Sequence, residues 1–300
     1  MKLALGTVQL GLSYGVANQS GKPARQEAFN IIDYAVKRGV DVLDTAAAYG
    51  ESEEIIGAYF SKNPPRHKVR IITKIPGIDA GTNEKWVVPA TIQKSLADLQ
   101  LTRLDGCLLH DPKNIDSHGG AVMRELMALK KQGTVEKIGV SVNKPSEVER
   151  FLELDGLDII QVPLNVFDQR LTQSGLLGKL SQKGVEIHTR SALLQGLLVM
   201  DPDQLPANLT FARQPLLDFQ KLAASVHLTP AELALLFVRD LPEVDKLVIG
   251  CETVRQLQEN VRIYQLPPLK KEIIELVKTT FAHMPEQIIT PSRWGNIEHG

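Results

Sequence analysis

Residues 40–60 read Val-Asp-Val-Leu-Asp-Thr-Ala-Ala-Ala-Tyr-Gly-Glu-Ser-Glu-Glu-Ile-Ile-Gly-Ala-Tyr-Phe and contain the strongest fold signal in the chain. The apolar start, residues 40–43, predicts a strand that ends at the carboxylate of Asp44. Gly50 permits a sharp turn, Ser52 is a candidate helix cap, and the acids after it suit the positive end of a helix dipole. We therefore predict a strand, a loop and a helix, with Asp44 and Tyr49 in the loop. Ligands of parallel α/β folds bind at this edge.

The junction that precedes this strand recurs along the chain. Basic or amide residues are followed by a glycine and then by a β-branched run, which is typical of a helix that ends and a strand that begins. The junctions lie at residues 37–39, 131–133 and 182–184. The predicted strands are residues 3–9, 40–43, 69–75, 104–110, 135–142, 157–162, 185–189 and 246–249. The predicted helices include residues 88–99, 121–129, 146–152, 174–181 and 230–238. Eight strands that alternate with helices favour a closed (β/α)8 barrel with its site at the C-terminal ends of the strands.

A doubly wound open sheet is the alternative fold. Its dinucleotide-binding fingerprint is Gly-x-Gly-x-x-Gly between a strand and a helix, whereas residues 6–11 read Gly-Thr-Val-Gln-Leu-Gly and lack the second glycine. The length of 300 residues suits one barrel domain over residues 1–300, with a tail from about residue 267. An irregular segment with Pro202, Pro206 and Pro215 is too long for a standard loop, so we expect it to help build a site or a lid.

The composition of the chain limits the classes of partner that it is expected to bind. The formal net charge of −1 supplies no field that would hold nucleic acid or an anionic membrane surface. No apolar run approaches the ~18 residues of a membrane span. Cys107 and Cys251 lie in or beside apolar runs, which suits free buried thiols and a reducing compartment. We expect a cytoplasmic protein with a small-molecule substrate and with neither nucleic acid nor membrane as a partner; the oligomeric state is not specified.

Four polar residues follow three consecutive predicted strands. Asp44 and Tyr49 follow strand 2, Lys74 ends strand 3 and His110 ends strand 4, so a barrel would bring them to one face. Each of them alone has an ordinary structural explanation. Together they can move a proton, because an ammonium near a phenol lowers its reference pKa of about 10. Tyr49 would then protonate an alkoxide, Asp44 would hold Lys74 in place, and His110 would orient the carbonyl oxygen.

The motif Asp44-Thr45-Ala46-x-x-Tyr49-Gly50-x-Ser52-Glu53, with Thr73-Lys74 and Leu109-His110-Asp111-Pro112, closely resembles the aldo-keto reductase superfamily. The resemblance extends from Gly6-Thr7 to Glu259-Asn260. It implies a (β/α)8 barrel that binds a nicotinamide dinucleotide without a Rossmann fold. It also implies that Asp44, Tyr49, Lys74 and His110 are the family's catalytic tetrad.

The same resemblance implies cofactor contacts. Gln161 matches the glutamine that holds the nicotinamide amide, and Ser141 matches the serine of the family's Gly-x-Ser-Asn, whereas Asn143 stands one place late. Arg190 replaces a tyrosine that stacks on the nicotinamide in many members, a contact that a guanidinium plane can also make. The cofactor-binding residues implied are Gly6, Thr7, Asp44, Ser141, Asn143, Gln161, Arg190, Gly250, Arg255, Glu259 and Asn260.

The adenosine half of the cofactor is implied to bind at strand 8 and the helix after it, whose N-terminus suits an anion. Members that prefer the 2′-phosphorylated cofactor place basic groups here, and this chain offers Arg255 against Glu252. The alternative for Arg255 is that it is an ordinary solvated residue of this helix, without a cofactor contact. The resemblance implies NADPH, and NADH stays an alternative.

Three functions compete. The first is an NAD(P)H-dependent carbonyl reductase of small aldehydes, ketones or sugar-like molecules, and the second is a cofactor-binding regulatory or sensor protein with little turnover. The third is metal-assisted hydrolysis, but His110 and Asp111 are adjacent on a strand and so face opposite sides, and we predict no metal site. His188, on the same strand face as Glu186, is predicted to be structural. Trp294 and the polar tail are expected either to line the substrate mouth or to be disordered.

Overall fold

The computed structural model describes residues 1–65, 67–78 and 84–295, with backbone alone at 84–86. Its eight strands are parallel, follow the order β1 to β8 and close through β1 and β8. Their bounds are β1 Leu3–Gly6, β2 Val42–Asp44, β3 Arg70–Ile75, β4 Leu104–Leu109, β5 Val135–Ser141, β6 Ile159–Pro163, β7 Glu186–Arg190 and β8 Lys246–Gly250. The predicted (β/α)8 barrel is confirmed, and the open sheet is wrong.

Helices cover the outside of the barrel. They are α1 Arg25–Lys37, α2 Ser52–Phe60, α3 Glu84–Leu99, α4 Ser117–Lys131, α5 Pro145–Leu152, α6 Leu176–Lys183, α7 Arg213–Ser225, α8 Pro230–Arg239, α9 Val254–Tyr264 and α10 Lys271–Thr280. Thr229 caps α8, since its Oγ1 accepts the Glu232 N–H at 3.2 Å. Within the described residues no single helix is long and apolar enough to cross a membrane. One pair of helices, Ala207–Ser225 with Pro230–Arg239, has the length and composition of a membrane span when taken together, but it is bent by 82°.

Most element boundaries differ from the prediction by one residue or more, and two of the larger differences are described here. The first strand ends at Gly6 rather than Gln9, because Leu10 N–H bonds to Thr7 O and turns Val8–Gly11 into one helical turn. A Cβ on Gly11 would lie 1.7 Å from Tyr49 O, so glycine lets this turn rest on the loop after β2. Helix α3 begins at Glu84 rather than Val88, and Pro89 lies inside it near its start. A proline this early removes few helical hydrogen bonds.

Side chains that point into the barrel alternate along each strand and form layers. Strand β3 shows the order, with Arg70 at one end, Ile72 in the middle and Lys74 at the other end. The middle layer is a separate apolar cluster of Ala4, Val42, Ile72, Leu108, Ile159 and Val248. The larger core lies between the strands and the helices and includes Cys107, which is free and buried, as is Cys251. The apolar layer therefore separates the two ends of the barrel.

The N-terminal end of the barrel holds an ion cluster centred on Glu186. Its carboxylate accepts two hydrogen bonds from Arg70, at 2.9 and 2.7 Å, one from Lys137 at 2.8 Å, and lies 2.9 Å from His188 Nε2. Burial alone would raise the pKa of Glu186, but these hydrogen bonds outweigh it and hold the pKa well below its ordinary range. The predicted structural role of His188 agrees with this position.

Glu186→Gln is expected to destabilise the protein by about 2 kcal/mol at pH 7, the scale of hydrogen bonds to a charged group. A carboxylate whose pKa falls on folding stabilises the protein above the unfolded-state value of about 4.3, and this contribution is lost as the pH falls below that value. The difference from wild type should therefore shrink towards pH 3 in urea unfolding. The exposed Glu149→Gln is the matched control. A pH-independent difference would assign the loss to packing instead of charge.

Candidate active site

A cavity of about 1080 Å³ opens at the C-terminal ends of the strands. Every predicted site residue except Lys74 lines it. These residues are Gly6, Thr7, Asp44, Tyr49, His110, Ser141, Asn143, Gln161, Arg190, Gly250, Arg255, Glu259 and Asn260. Lys74 lies beneath the cavity, with a side chain that is 0% exposed. The strand ends thus bring residues as distant in sequence as Gly6 and Gly250 into one space.

Lys74 connects the polar groups at the base of the cavity. Its Nζ donates to Asp44 Oδ2 at 2.7 Å, to Thr45 O at 2.9 Å and to Tyr49 Oη at 3.4 Å. An ammonium has three N–H groups, so each N–H of Lys74 has one of these acceptors. Nζ also lies 4.9 Å from the centroid of the Tyr49 ring, within the range of a cation–π contact. The ammonium is therefore fixed against the phenol.

The charge states of the site follow from its burial. Burial disfavours the charged form of Lys74, but Asp44 and Tyr49 outweigh it and raise the pKa of Lys74 above its ordinary value. Burial, together with the charge of Lys74, lowers the pKa of His110 to about 4. The His110 ring meets the Tyr49 ring edge-on, with centroids 5.6 Å apart. Near pH 7 the site accordingly holds a charged Lys74 and a neutral His110.

Hydrogen bonds of Ser52 join the loop after β1 to the loop that carries Tyr49. The prediction that Ser52 caps α2 is wrong, because the cap position is Glu51 and no side chain caps the helix. Ser52 is buried instead, and its Oγ lies 3.0 Å from Thr7 O, 2.8 Å from Thr7 Oγ1 and 3.0 Å from Thr45 Oγ1. The loops after β1 and β2 are thereby joined directly below the cavity.

Glu53 anchors the same helix from the outside of the barrel. Its carboxylate is buried and accepts hydrogen bonds from Thr73 Oγ1 at 2.6 Å and from Ser95 Oγ at 3.1 Å. Burial raises the pKa of Glu53. Since Thr73 precedes Lys74 on β3, this contact fixes the strand that carries the ammonium.

A chain of amide contacts links the base of the site to β5 and β6. Gln161 Nε2 donates to Asp44 Oδ1 at 2.7 Å, and Ser141 Oγ donates to Gln161 Oε1 at 3.3 Å. Asp44 therefore receives Lys74 on one oxygen and Gln161 on the other. Asn143 is tied to β7 instead, because its Oδ1 accepts from Arg190 Nη2 at 2.7 Å.

The other end of the cavity is formed by the start of α9. Thr253 Oγ1 accepts the Gln256 N–H at 3.2 Å and caps the helix. Glu27, from α1, accepts the Val254 N–H at 2.8 Å and is an acid that sequence reasoning missed. Because it lies 227 positions away, no local pattern could have indicated it. Arg255 makes no ion pair within the part of the chain that the structure describes.

The residues present fit an extended nicotinamide dinucleotide. Gly6 and Gly250 are paired where β1 meets β8, and neither contributes a side chain to the cavity. A Cβ on Gly250 would lie 2.1 Å from Gln9 Oε1, so glycine is required for that amide to lie there. Gln9 also lines the cavity, and its buried Oε1 has no partner among the described residues. Amide groups at one end and a helix N-terminus at the other suit an amide ring and a phosphate.

Two segments were expected to lie near the mouth. The proline-rich segment after β7 forms 3₁₀ turns at Pro202–Gln204 and Ala207–Ala212 and then α7, and none of these residues lines the cavity. Trp294 is buried, donates from Nε1 to Gln287 O at 2.8 Å and is not a cavity residue. The expectation for Trp294 is wrong, whereas the long segment after β7 does contribute to the cavity wall, through residues 190–199 and not through the part that contains its prolines. Residues 296–300 of the predicted tail lie outside the described residues.

A closed (β/α)8 barrel that carries Asp, Tyr, Lys and His at its strand ends defines a class of NAD(P)-dependent oxidoreductase. The chain belongs to the aldo/keto reductase family, whose model matches residues 2–280. It is 25% identical over 297 residues to an uncharacterized oxidoreductase of Bacillus subtilis (strain 168), which covers 93% of this chain and 95% of that protein. It is 31% identical over 173 residues to the glyoxal reductase of the same organism, with 58% and 60% covered.

A solved structure supports the fold. The chain is similar to the holo form of an aldo-keto reductase from Bacillus halodurans, with a TM-score of 0.77 and 21% identity. The similarity covers 96% of this chain and 94% of that one. At this identity the comparison supports the shared barrel alone.

Proposed function

We propose that this oxidoreductase reduces the carbonyl group of a small aldehyde, ketone or sugar-like molecule, with Tyr49 as the general acid and NADPH, or else NADH, as the cofactor. The observation that carries the proposal is the contact of Tyr49 Oη, at the cavity wall, with the buried Lys74 Nζ at 3.4 Å. When bound, the nicotinamide supplies the hydride that the carbonyl carbon receives.

The proton then comes from Tyr49. As negative charge develops on the carbonyl oxygen, the phenol releases its proton to it, and the Lys74 N–H stabilises the phenolate that is left. Asp44 balances the charge of Lys74 and accepts a hydrogen bond from it. Gln161 donates to the other oxygen of Asp44 and so holds the carboxylate in position. His110, with its pKa lowered to about 4, is neutral near pH 7 and orients the carbonyl oxygen by a hydrogen bond. Because His110 is neutral and Lys74 stabilises a phenolate, Tyr49 is the group best suited to act as the acid.

The cofactor contacts follow the same cavity. Ser141, Asn143 and Gln161 would hold the amide of the nicotinamide, and the plane of Arg190 would stack on its ring. Gly6 and Thr7 would border the centre of the cofactor. The adenosine half would lie against β8 and α9, at Gly250, Arg255, Glu259 and Asn260.

A direct test uses the purified protein, NADPH or NADH, and a panel of aldehydes, ketones and sugars. We expect cofactor oxidation that depends on the added carbonyl compound and that survives a metal chelator. No oxidation with either cofactor, together with no cofactor binding by calorimetry, would refute the proposal. Tight cofactor binding without turnover would instead support a sensor.

Arg255→Ala is expected to raise the Kd of NADPH about tenfold and to leave that of NADH within about twofold, because one charge-assisted phosphate contact is worth roughly 1.4 kcal/mol. The reason is that Arg255 lines the cavity without an ion-pair partner within residues 1–65, 67–78 and 84–295. Calorimetry with both cofactors checks this, with the exposed Arg103→Ala as control. Equal losses for the two cofactors would mean that Arg255 does not contact a 2′-phosphate.

A further inference from the structure

Arg190 is a cation in the cavity wall that has no acidic partner in the described part of the chain. It ends β7, and its three hydrogen bonds go to Val142 O at 3.0 Å, to Asn143 Oδ1 at 2.7 Å and to Ser191 Oγ at 3.3 Å. A guanidinium carries five N–H donors. At least two of them are therefore not used by these neutral acceptors.

The charge of Arg190 is also uncompensated where the reaction would occur. The other cation at the base of the cavity, Lys74, is paired with Asp44 at 2.7 Å and buried below the surface. The charge of Arg190 reaches His110, where it adds to the larger effects of burial and of Lys74 in lowering the pKa. Arg190 is thus a cation in the cavity wall without a paired carboxylate among the described residues, and such a charge attracts an anion.

The loop after Arg190 fixes the direction of its side chain. Ser191, Leu194 and Gln195 all have left-handed backbone conformations, with φ of 63°, 49° and 56°. Each such residue costs on the order of 1–3 kcal/mol and persists only where its surroundings hold it. Asn165 Nδ2 donates to Ser191 O at 3.1 Å, and Val16 N–H donates to Gln195 O at 3.0 Å. The guanidinium is consequently presented by a loop that is tied at both ends.

Apolar side chains surround the mouth next to this cation. Leu12, Tyr14 and Val199 are all exposed and all line the cavity. Gln195 Nε2 donates to Tyr14 Oη at 3.1 Å and so connects the loops after β1 and β7. Large exposed apolar groups at the mouth of a cavity suit the apolar body of a ligand.

We propose that Arg190 binds a carboxylate of the substrate, so that the preferred substrates are carbonyl compounds with an apolar body and a carboxylate remote from the carbonyl. The inference rests on the proposed function and specifies its substrate class. Tyr49 follows β2 and Arg190 ends β7, which are not neighbouring strands, so the two groups of the substrate must be separated by its body. The edge of the guanidinium would donate two parallel hydrogen bonds to the carboxylate, and its face would stay available to stack on the nicotinamide ring.

The test compares 4-carboxybenzaldehyde with its neutral methyl ester, methyl 4-formylbenzoate, at pH 7. We expect the kcat/KM for the carboxylate, divided by that for the ester, to fall at least tenfold in Arg190→Met, because one charge-assisted contact is lost. The ratio should fall less in Arg190→Lys, which keeps the charge but not the two-pronged geometry of the guanidinium. Arg103→Met, on an exposed arginine, should leave the ratio unchanged. An unchanged ratio in Arg190→Met would overturn the proposal. If that variant instead raised the cofactor Kd with the ratio intact, Arg190 would contact the cofactor alone, and the proposal would again be wrong.

A binding measurement separates this inference from the reductase proposal. We expect 4-methylbenzoate, which has no reducible carbonyl, to bind wild type and Tyr49→Phe equally and Arg190→Met at least tenfold more weakly in calorimetry. Such binding without turnover of any carbonyl compound would support the anion site and refute the proposed reaction. Turnover without Arg190-dependent binding of 4-methylbenzoate would refute the anion site alone.

Discussion

Replacing Tyr49 by Phe is expected to lower kcat by a factor of about 10² to 10⁴, the usual contribution of a general acid. The phenol acts as negative charge develops on the carbonyl oxygen, so its loss should fall on the transition state. The Kd of the cofactor should stay within about threefold of wild type, as expected when an interaction made only in the transition state is removed. Single-turnover kinetics and calorimetry measure the two quantities separately.

The control for this change is Tyr34→Phe, which removes the same hydroxyl from α1, where the ring contacts Arg38 outside the cavity. It should retain wild-type turnover. A large increase in cofactor Kd in Tyr49→Phe would mean that Tyr49 positions the cofactor. Unchanged turnover would remove Tyr49 from the mechanism altogether.

Lys74→Met is expected to destabilise the protein by about 3–5 kcal/mol, because it leaves the buried carboxylate of Asp44 without its counterion. The side chains of Lys74 and Asp44 are 0% and 5% exposed, so water replaces little of the lost contact. Turnover should fall as well, since Lys74 Nζ is the ammonium that contacts Tyr49 Oη and would stabilise its phenolate. Urea unfolding and steady-state kinetics of the same preparation give both effects.

The double variant Lys74→Met with Asp44→Asn separates the two consequences. Removing the unpaired charge should recover most of the stability, and the Asn carbonyl can still accept the Gln161 N–H. Turnover should not recover. A double variant as unstable as the single one would assign the loss to packing, and recovered turnover would contradict the role given to Lys74. The exposed pair of Lys94 with Asp98 is the control, where Lys94→Met should cost less than about 0.5 kcal/mol.

The barrel could be predicted because its signals are local. A basic helix end, a glycine and a β-branched run lie within a few residues of one another, as at residues 37–43, and this order repeats. The cavity position of Asp44, Tyr49 and His110 follows from the same rule, since parallel strands of a closed barrel end on one face. Their roles stay predictions until the variants are measured.

The remaining parts of the site depend on contacts between distant segments. Ser52 has the sequence of a helix cap, yet its hydroxyl is used by Thr7, 45 positions earlier. Glu27 reaches the start of α9 from α1, and nothing near either segment indicates the pairing. The prolines after strand 7 correctly signalled irregular structure, but which part faces the cavity depends on how the loop folds back on the barrel. Spacing along the chain does not contain that information.

The layered interior has a consequence for engineering. Strand β3 runs from Arg70 in the ion cluster, through Ile72, to Lys74 beneath the cavity. Strand β7 runs from Glu186, through its cluster partner His188, to Arg190 in the cavity wall. A library that varies Leu12, Leu193 and Val199 would change the mouth of the cavity and leave the cluster around Glu186 untouched. We therefore expect most members of such a library to fold, so that a screen for new substrates would sample specificity at little loss of soluble protein.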